Sequence, residues 1–524
     1  MTNKVDKITR SATALVVFAL IGKFMGFARE TLIANYFGAG VETDAFNAAL
    51  KSTNLITAIV SNAIANTFIP MLSKVRADEG EERVAYHTNN MLFMSVFASI
   101  ILTILGILAA PLIVGFVGRG FETQTFNLTL QLTKTGMPVM IFSAIVGVMT
   151  GYLQSQGKFA ATGAIPIPLN IVYIFYLIVL SDKFGVFGLT IASVLAIAAQ
   201  VIFLLPETVK AGHKYFWAFN IKDKYVIHAL ELSIPVLLSV AINDVNIAIN
   251  TAFASGLEEG TVSWLNYANK LNVLILGIFI AAITSIVFPI MSKAFSEGDI
   301  DGGRKSMALA TRLIFLITIP ATIGLIVLAR PIVEIAFQRG KFTAYDAEMT
   351  SMALIFYAPA LTALSLNTLL NRVYYSLQDT TTPLIISAIA VALNVFLNFI
   401  FVKVLGHRGL ALALTLGTNI AVFISFVGLR KKLGHIFGWS FLRAIIKNFA
   451  AAIPMGFVAY FGYFGLIDLV PFLGSRVILK LLCLLFAVFL SVLTYGGLSY
   501  LLGVGEVKMA VELIKSKSSK KKED

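Results

Sequence analysis

Three ionisable side chains, Lys23, Arg29 and Glu30, lie inside the first long apolar segment, roughly residues 11–36. A charge near the centre of a bilayer costs about 2.5–3.5 kcal/mol, so such residues usually face a water-filled cavity and mark a substrate path. Gly22 and Gly26 lie on either side of Lys23 and allow close helix approach or a local break. The alternative is that Lys23 snorkels and that the other two charges lie at the outer end of the segment.

The composition is that of a polytopic membrane protein. Hydrophobic residues make up 58% of the 524 positions and charged residues 13%, and the mean hydropathy is +0.85. Apolar segments long enough to span a bilayer recur along the whole chain. We predict an all-α protein of about fourteen transmembrane helices, centred near residues 22, 58, 102, 140, 170, 195, 240, 278, 316, 358, 392, 418, 455 and 490.

An internal repeat divides the chain. Four motifs recur in the same order at offsets of 219 to 222 residues: Phe68-Ile-Pro70 with Phe288-Pro289, Pro111 to Gly120 with Pro331 to Gly340, Gln156 with Gln378, and Gly188-Leu189 with Gly409-Leu410. Six spans per repeat give both halves the same orientation, with the substrate site between them. We predict lobes at 1–220 and 221–437, an extra helix pair at 438–505 and a basic disordered tail at 506–524.

The basic residues are distributed unevenly between alternate loops. The N-terminus, the C-terminal tail and every second loop hold most of the Lys and Arg, which predicts that both termini are cytoplasmic. This topology explains the net charge of +13 better than binding to nucleic acid, which we do not expect.

The same offset relates Lys51 to Lys270. Two repeat-related ammonium groups at one depth, together with Lys23 and Arg29, predict a cationic cavity, with Glu30 and Asp44 as gating or charge partners. Taken singly, each lysine also fits a snorkelling or ion-paired side chain. A cationic cavity favours an anionic head group, above all a phosphate. The other polar groups at membrane depth are Asp244, Asn250, Asn394 and Asn398. Two roles fit them: coordination of a coupling ion, or hydrogen bonding between packed helices.

Enzyme and metal-site signatures are absent from the sequence. The five histidines fit no metal-ligand spacing, and the single Cys483 excludes a disulfide framework. We expect no catalytic residue, no metal and no cofactor. A membrane enzyme acting on polyprenyl lipids would need an acidic or histidine motif in its cytoplasmic loops, and an exporter of cationic drugs would need an acidic cavity.

Several motifs resemble the MurJ (MviN) lipid II flippases of the multidrug/oligosaccharidyl-lipid/polysaccharide exporter superfamily. They are Lys23 to Glu30, Tyr36-Phe-Gly-Ala-Gly, Thr43-Asp44-Ala-Phe46, Lys51 with Asn54-Leu55, Phe68-Ile-Pro70, Phe253-Ala-Ser255, Val262-Ser-Trp264 and Tyr267 to Leu271. The resemblance implies fourteen spans, two lobes around a cavity, and a final helix pair that forms a groove for the polyprenyl tail. It implies a bacterial inner-membrane protein whose substrate is an undecaprenyl-diphosphate-linked disaccharide-pentapeptide.

The resemblance also suggests roles for single residues. Arg29, Lys23 and Lys270 would bind the diphosphate with support from Lys51, although many members have arginine at 23 and 270. Many members have a basic pair where this chain has Ile56-Thr57. Asn250 and Asn398 stand where some members have carboxylates for sodium, so we expect membrane potential rather than sodium to supply the energy.

We therefore expect an alternating-access lipid II flippase that acts as a monomer beside the cell-wall synthesis machinery. The alternative is a flippase for another polyprenyl-linked oligosaccharide, of the O-antigen or teichoic/capsular type.

Overall fold

The computed structural model describes residues 2–434, 438–474 and 476–509, and these residues form helices joined by short turns, without a strand. The all-α prediction is confirmed. Nineteen α-helices are assigned in this part of the chain: α1 (Thr2–Phe37), α2 (Val41–Glu79), α3 (Glu81–Val117), α4 (Thr123–Gly136), α5 (Val139–Ser155), α6 (Phe159–Gly163), α7 (Pro166–Val179), α8 (Ser181–Lys210), α9 (Lys224–Ser255), α10 (Thr261–Ser296), α11 (Ile300–Val327), α12 (Ala329–Phe337), α13 (Ala344–Tyr357), α14 (Ala360–Ser376), α15 (Thr381–Leu405), α16 (His407–Leu433), α17 (Trp439–Tyr460), α18 (Leu466–Leu469) and α19 (Val477–Leu501).

Thirteen of the fourteen predicted span centres lie in helices, and the one near residue 358 falls at the break between α13 and α14. Among the described residues, eight helical stretches are long and apolar enough to cross a membrane. The number rises to ten if each of two bent helix pairs is counted as one span. The total of fourteen spans stays a prediction. Much of the predicted tail, residues 510–524, lies outside the described part of the chain, whereas residues 505–509 are helical.

The two bent pairs are repeat equivalents. The pair α4 and α5 bends by 42°, and the pair α13 and α14 bends by 47°. The helices of both pairs have 14 and 17 residues. Pro138 and Pro359 stand at the two breaks, where a proline removes a backbone donor and clashes with the preceding turn. The same break therefore recurs in the second half.

The described chain forms two compact units, residues 1–263 with 339–343, and residues 264–338 with 344–524. The predicted lobe boundary at residue 220 stays a prediction. In the first unit, α2 packs along α9, α5, α3 and α4. Its apolar core includes Phe46, Phe68, Leu72, Leu132 and Leu177, all nearly inaccessible to solvent.

At one end of the first unit, Asp223 caps the N-terminus of α9 by accepting the Tyr225 N–H at 2.9 Å. Burial alone would raise the pKa of Asp223, but hydrogen bonds with His87 and Asn90 outweigh this effect and hold the pKa below its usual value. The start of α9 is thereby fixed to α3.

The second unit has a core between α11, α14 and α16 that includes Met307, Ile314, Leu369 and Leu429. The C-terminal helix α17 packs on α11 and on α19, and Tyr495 of α19 donates its hydroxyl to the Leu316 carbonyl of α11 at 3.0 Å. A π-helical turn, Phe461–Gly465, continues α17. A Cβ on Gly462 would lie 3.5 Å from Ala487 of α19, so small residues let the two helices approach closely.

Candidate functional site

Arg29 is held in a fixed orientation on α1. One guanidinium nitrogen donates to Glu30 Oε1 at 2.8 Å, and the guanidinium lies over the Tyr173 ring at 4.8 Å from its centre. The Glu30 side chain is buried, whereas that of Arg29 keeps 23% of its surface exposed. The carboxylate and the aromatic face therefore orient a cation that still reaches solvent-accessible space.

The glycines around Lys23 serve helix packing, since α1 is continuous from Thr2 to Phe37. A Cβ on Gly22 would lie 2.7 Å from Pro166 Cβ of α7. Asn170 of α7 donates to the Gly22 carbonyl at 3.3 Å. Of the two alternatives that the sequence left open, close helix approach is present and a local break is not. Lys23 is half-buried on this helix.

Asp44 is a fully buried carboxylate near the start of α2. Its oxygens accept the backbone N–H groups of Gly260 and Ser263, each at 2.8 Å, and the Ser263 hydroxyl at 2.5 Å. These donors form the N-terminus of α10, where free N–H groups and the helix dipole favour a negative charge. Lys51 lies two turns further along α2 and is half-buried. Its ammonium group interacts electrostatically with the Asp44 carboxylate.

A reciprocal contact runs from α10 back to α2. Glu259 Oε1 accepts the Val41 N–H, the first of α2, at 3.1 Å. Asp44 and Ser263 are 219 residues apart, which is the offset of the sequence repeat. The two repeat-equivalent helices therefore cap each other's N-termini with a carboxylate. We call Asp44, Glu259, Gly260, Ser263 and the Val41 amide the capping network.

The turn before α2 completes the role of the Thr-Asp-Ala-Phe motif. The Thr43 hydroxyl donates to the carbonyl oxygens of Phe37 and Gly38 at 3.3 and 3.0 Å, which satisfies the end of α1. Ala45 and Phe46 are buried in the core. Thr43 thus bonds to the end of α1, Ala45 and Phe46 pack in the core, and Asp44 bonds to the start of α10.

Two repeat-equivalent glycines make close contacts in the same unit. A Cβ on Gly120 would lie 2.3 Å from Gly256 Cα at the end of α9, and a Cβ on Gly340 would lie 2.2 Å from the Asn35 carbonyl oxygen of α1. Gly120 donates its N–H to the Ser255 hydroxyl at 3.0 Å. Only glycine fits both positions without movement of the backbone. The matched Arg-Gly motifs are therefore explained by packing against the ends of α1 and α9.

The second unit contains Lys270, half-buried on α10, and the buried amides Asn394 and Asn398 on α15. Gly417 of α16 packs against Asn394, since a Cβ on Gly417 would lie 3.4 Å from Asn394 Cβ. The binding roles of these residues stay predictions.

Two of the remaining polar groups lie on α9 of the first unit. Asn250 donates to the Asn246 carbonyl at 2.8 Å. The buried Asp244 Oδ2 has no hydrogen-bond partner among the described residues.

Sequence reasoning identified Asp44 but missed its partners Glu259, Gly260 and Ser263. A signal was present, because Ser263 is the repeat equivalent of Asp44. The structure brings Lys51 near Asp44 and Arg29 beside Glu30 within the first unit, and it places Lys270 in the second.

Comparison with known proteins identifies the family. The family model described as "Lipid II flippase MurJ" matches residues 33–482. The chain belongs to the MurJ lipid II flippase family. A probable lipid II flippase MurJ of Vibrio cholerae serotype O1 is 29% identical over 97% of this chain and 98% of that protein. The lipid II flippase MurJ of Burkholderia cenocepacia is 28% identical over 84% of this chain and 87% of that protein.

Solved structures share the fold. A lipid II flippase MurJ in an inward closed conformation matches with a TM-score of 0.76 at 22% identity, covering 93% of this chain and 98% of that one. An inward-facing multidrug resistance MATE family transporter of the MOP superfamily matches with a TM-score of 0.66 at 15% identity, over 80% and 98% of the two chains. At these identities the likeness shows a shared fold.

The capping network predicts slow hydrogen exchange at two amides of α10. A hydrogen bond to a charged group contributes about 1.5–3 kcal/mol, so Asp44→Asn should speed exchange of the Gly260 and Ser263 amides by roughly tenfold or more. Hydrogen–deuterium exchange of the full-length protein in detergent measures this change. Glu42→Gln, two residues away on the same helix, is the matched control: its half-buried carboxylate faces Lys341 at 3.8 Å, so both amides should stay protected. Equal protection in Asp44→Asn and the wild type would contradict the network.

Proposed function

We propose that this chain moves lipid II from the cytoplasmic to the outer leaflet of the bacterial inner membrane by alternating access. The match of the MurJ family model to residues 33–482 carries the proposal. Oriented Arg29 supports it, because a diphosphate needs cations that remain partly accessible to the ligand.

The diphosphate is assigned to Arg29 first, with Lys23 and Lys51 from the same unit. Arg29 is held by Glu30 and Tyr173, so little side-chain freedom is lost when an anion binds to it. Lys270 enters the proposal as the repeat equivalent of Lys51 and through the family resemblance at this position. Glu30 orients Arg29, and Asp44 caps the N-terminus of α10 within the capping network.

The capping network is proposed as one gate of the transport cycle. Its hydrogen bonds join repeat-equivalent helices α2 and α10, so their separation would release both N-termini to solvent at once. A polar contact of this kind can break and form again without unpacking the apolar core. The carboxylates of Glu259 and Asp44 would then exchange their hydrogen bonds to helix N-termini for hydrogen bonds to water.

The uneven distribution of basic residues supports an orientation with both termini in the cytoplasm. The proposed partners are lipid II itself and the cell-wall synthesis machinery, and the proposed working form is a monomer. The second candidate function is transport of another polyprenyl-linked oligosaccharide, which shares the diphosphate and differs in the sugar and peptide.

Arg29→Ala and Lys270→Ala should each abolish lipid II flipping in proteoliposomes, because each removes a cation that neutralises the diphosphate. Lys270→Arg should retain activity, since it keeps the charge and adds a bidentate donor. The assay measures the rate at which reconstituted lipid II becomes accessible on the opposite leaflet. A polyprenyl-diphosphate glycan without the pentapeptide, tested in parallel, separates the two candidate functions.

Each variant has a matched control. Lys134→Ala removes an exposed cation from α4 of the same unit, and Lys293→Ala removes one from the other end of α10. Arg29→Ala leaves Glu30 buried beside a missing cation, so Arg29→Ala with Glu30→Gln restores local neutrality. We expect this double variant to fold and still not to flip lipid II. Wild-type flipping by Arg29→Ala at normal protein levels contradicts the cationic site.

Membrane potential is the proposed energy source. A diphosphate carries roughly two negative charges, and moving them across 100 mV releases on the order of 4–5 kcal/mol. An inside-negative potential drives the loaded head group outward and pulls an emptied, cation-lined site back. Asn250 and Asn398 support this proposal, because they are amides where some family members have carboxylates that bind sodium. We expect flipping to rise with potential and to continue without sodium.

Proteoliposomes in which the potential and the sodium gradient are set independently test this expectation. A potassium gradient with valinomycin sets the potential, and choline replaces sodium. Asn250→Asp with Asn398→Asp is the informative variant, because it restores two carboxylates and should make sodium matter. Flipping that is indifferent to potential and stops without sodium refutes the potential-driven mechanism.

A further inference from the structure

A basic pocket of about 440 Å³ lies in the second unit, between α11, the start of α17 and the chain after α19. Pockets of this size commonly hold small molecules or head groups. None of the residues proposed for lipid II lines it. It is lined by Arg312, Trp439, Arg443, Ala444, Lys447, Gly503, Val504, Gly505 and Glu506.

Positive charge exceeds negative charge in this pocket. Arg312, Arg443 and Lys447 line it together with a single carboxylate, Glu506. The ammonium groups of Lys447 and Lys508 lie 3.7 and 3.5 Å from the position that a Cβ on Gly503 would take. Two lysines directed at one point repel each other unless an anion lies between them.

Arg443 lies over the Trp439 ring, 5.8 Å from its centre, whereas Arg312 and Lys447 keep donors that their partners in the described chain leave unused. Arg312 is 3.5 Å from Glu506, a long ion pair. The buried Nε of Arg312 has no hydrogen-bond partner among the described residues. Lys447 donates to the Gly503 carbonyl at 3.3 Å, which leaves two of its three N–H groups for other acceptors. Phosphate oxygens match both the guanidinium fork and the lysine donors.

The surroundings of the pocket are those of a membrane interface. Trp439 is 63% exposed at the start of α17, where tryptophan is typical of the head-group level. An exposed apolar stripe runs from the pocket along the same helix, consisting of Leu442, Ile446, Phe449, Ile453 and Phe457. A head group in the pocket would therefore have an apolar surface beside it for its acyl chain. A soluble phosphate compound would make no use of this stripe.

We propose that this pocket binds the phosphate of an anionic phospholipid head group, with the acyl chains along α17. Basic pockets between transmembrane helices bind such head groups. In the proposed topology this pocket would lie at the cytoplasmic leaflet. Its binding of a phospholipid does not depend on which lipid the protein transports.

Native mass spectrometry of the full-length protein in detergent tests the proposal, with phosphatidylglycerol as the probe. Arg443→Gln with Lys447→Gln should raise the Kd of the first bound phosphatidylglycerol about tenfold or more. Arg430→Gln with Lys431→Gln removes one exposed arginine and one exposed lysine at the end of α16 and is the matched control, which should bind like the wild type. Arg443→Gln alone, at the exposed rim, should weaken binding if the double variant does not fold.

Two further measurements distinguish a phospholipid from free phosphate as the ligand. Phosphatidylcholine should bind more weakly than phosphatidylglycerol, and millimolar inorganic phosphate should not displace the lipid. Displacement by inorganic phosphate, or equal weakening in the α16 control, overturns the lipid assignment, as does wild-type binding by the double variant. Lipid II is absent from these measurements, so a failed flipping assay leaves their result intact.

Discussion

The buried carboxylate of Asp44 places the strictest constraint on the first unit. A charged group removed from water must be paired or hydrogen-bonded, because its desolvation otherwise costs several kcal/mol. The N-terminus of α10 supplies three donors to it. This requirement fixes the start of α10 against the start of α2.

The network also sets an energetic condition on transport. Separating α2 from α10 exposes carboxylates and amides that were mutually satisfied, and water compensates only part of that loss. A substrate can drive the change only by binding the open arrangement more tightly than the closed one. In the function proposed above, neutralisation of Arg29 and Lys51 by a diphosphate would supply such a difference, because the Lys51 ammonium also interacts with the Asp44 carboxylate. The same proposal would couple charge in the site to closure of the capping network through α2.

Much of the fold could be predicted from the sequence because a bilayer permits few backbone arrangements. Apolar length places α3, α8 and α19, and the repeat offset relates Pro138 to Pro359 at equivalent breaks. The Gly22 approach to α7 follows from residue size. The reciprocal capping could not be predicted in the same way, since hydrogen bonds between residues 216 to 219 positions apart depend on tertiary packing. The basic pocket was also missed, because Arg312 and Lys447 come from helices distant in sequence.

Rescue of a bacterium depleted of its own lipid II flippase tests the central claim most directly. The chain is expressed as the resident flippase is removed, and lipid II reaching the outer leaflet is measured in the same cells. The account predicts continued growth and continued lipid II exposure with the wild-type chain, and loss of both with Arg29→Ala. Lysis without lipid II exposure, while the wild-type chain is present in the membrane at normal levels, would contradict it.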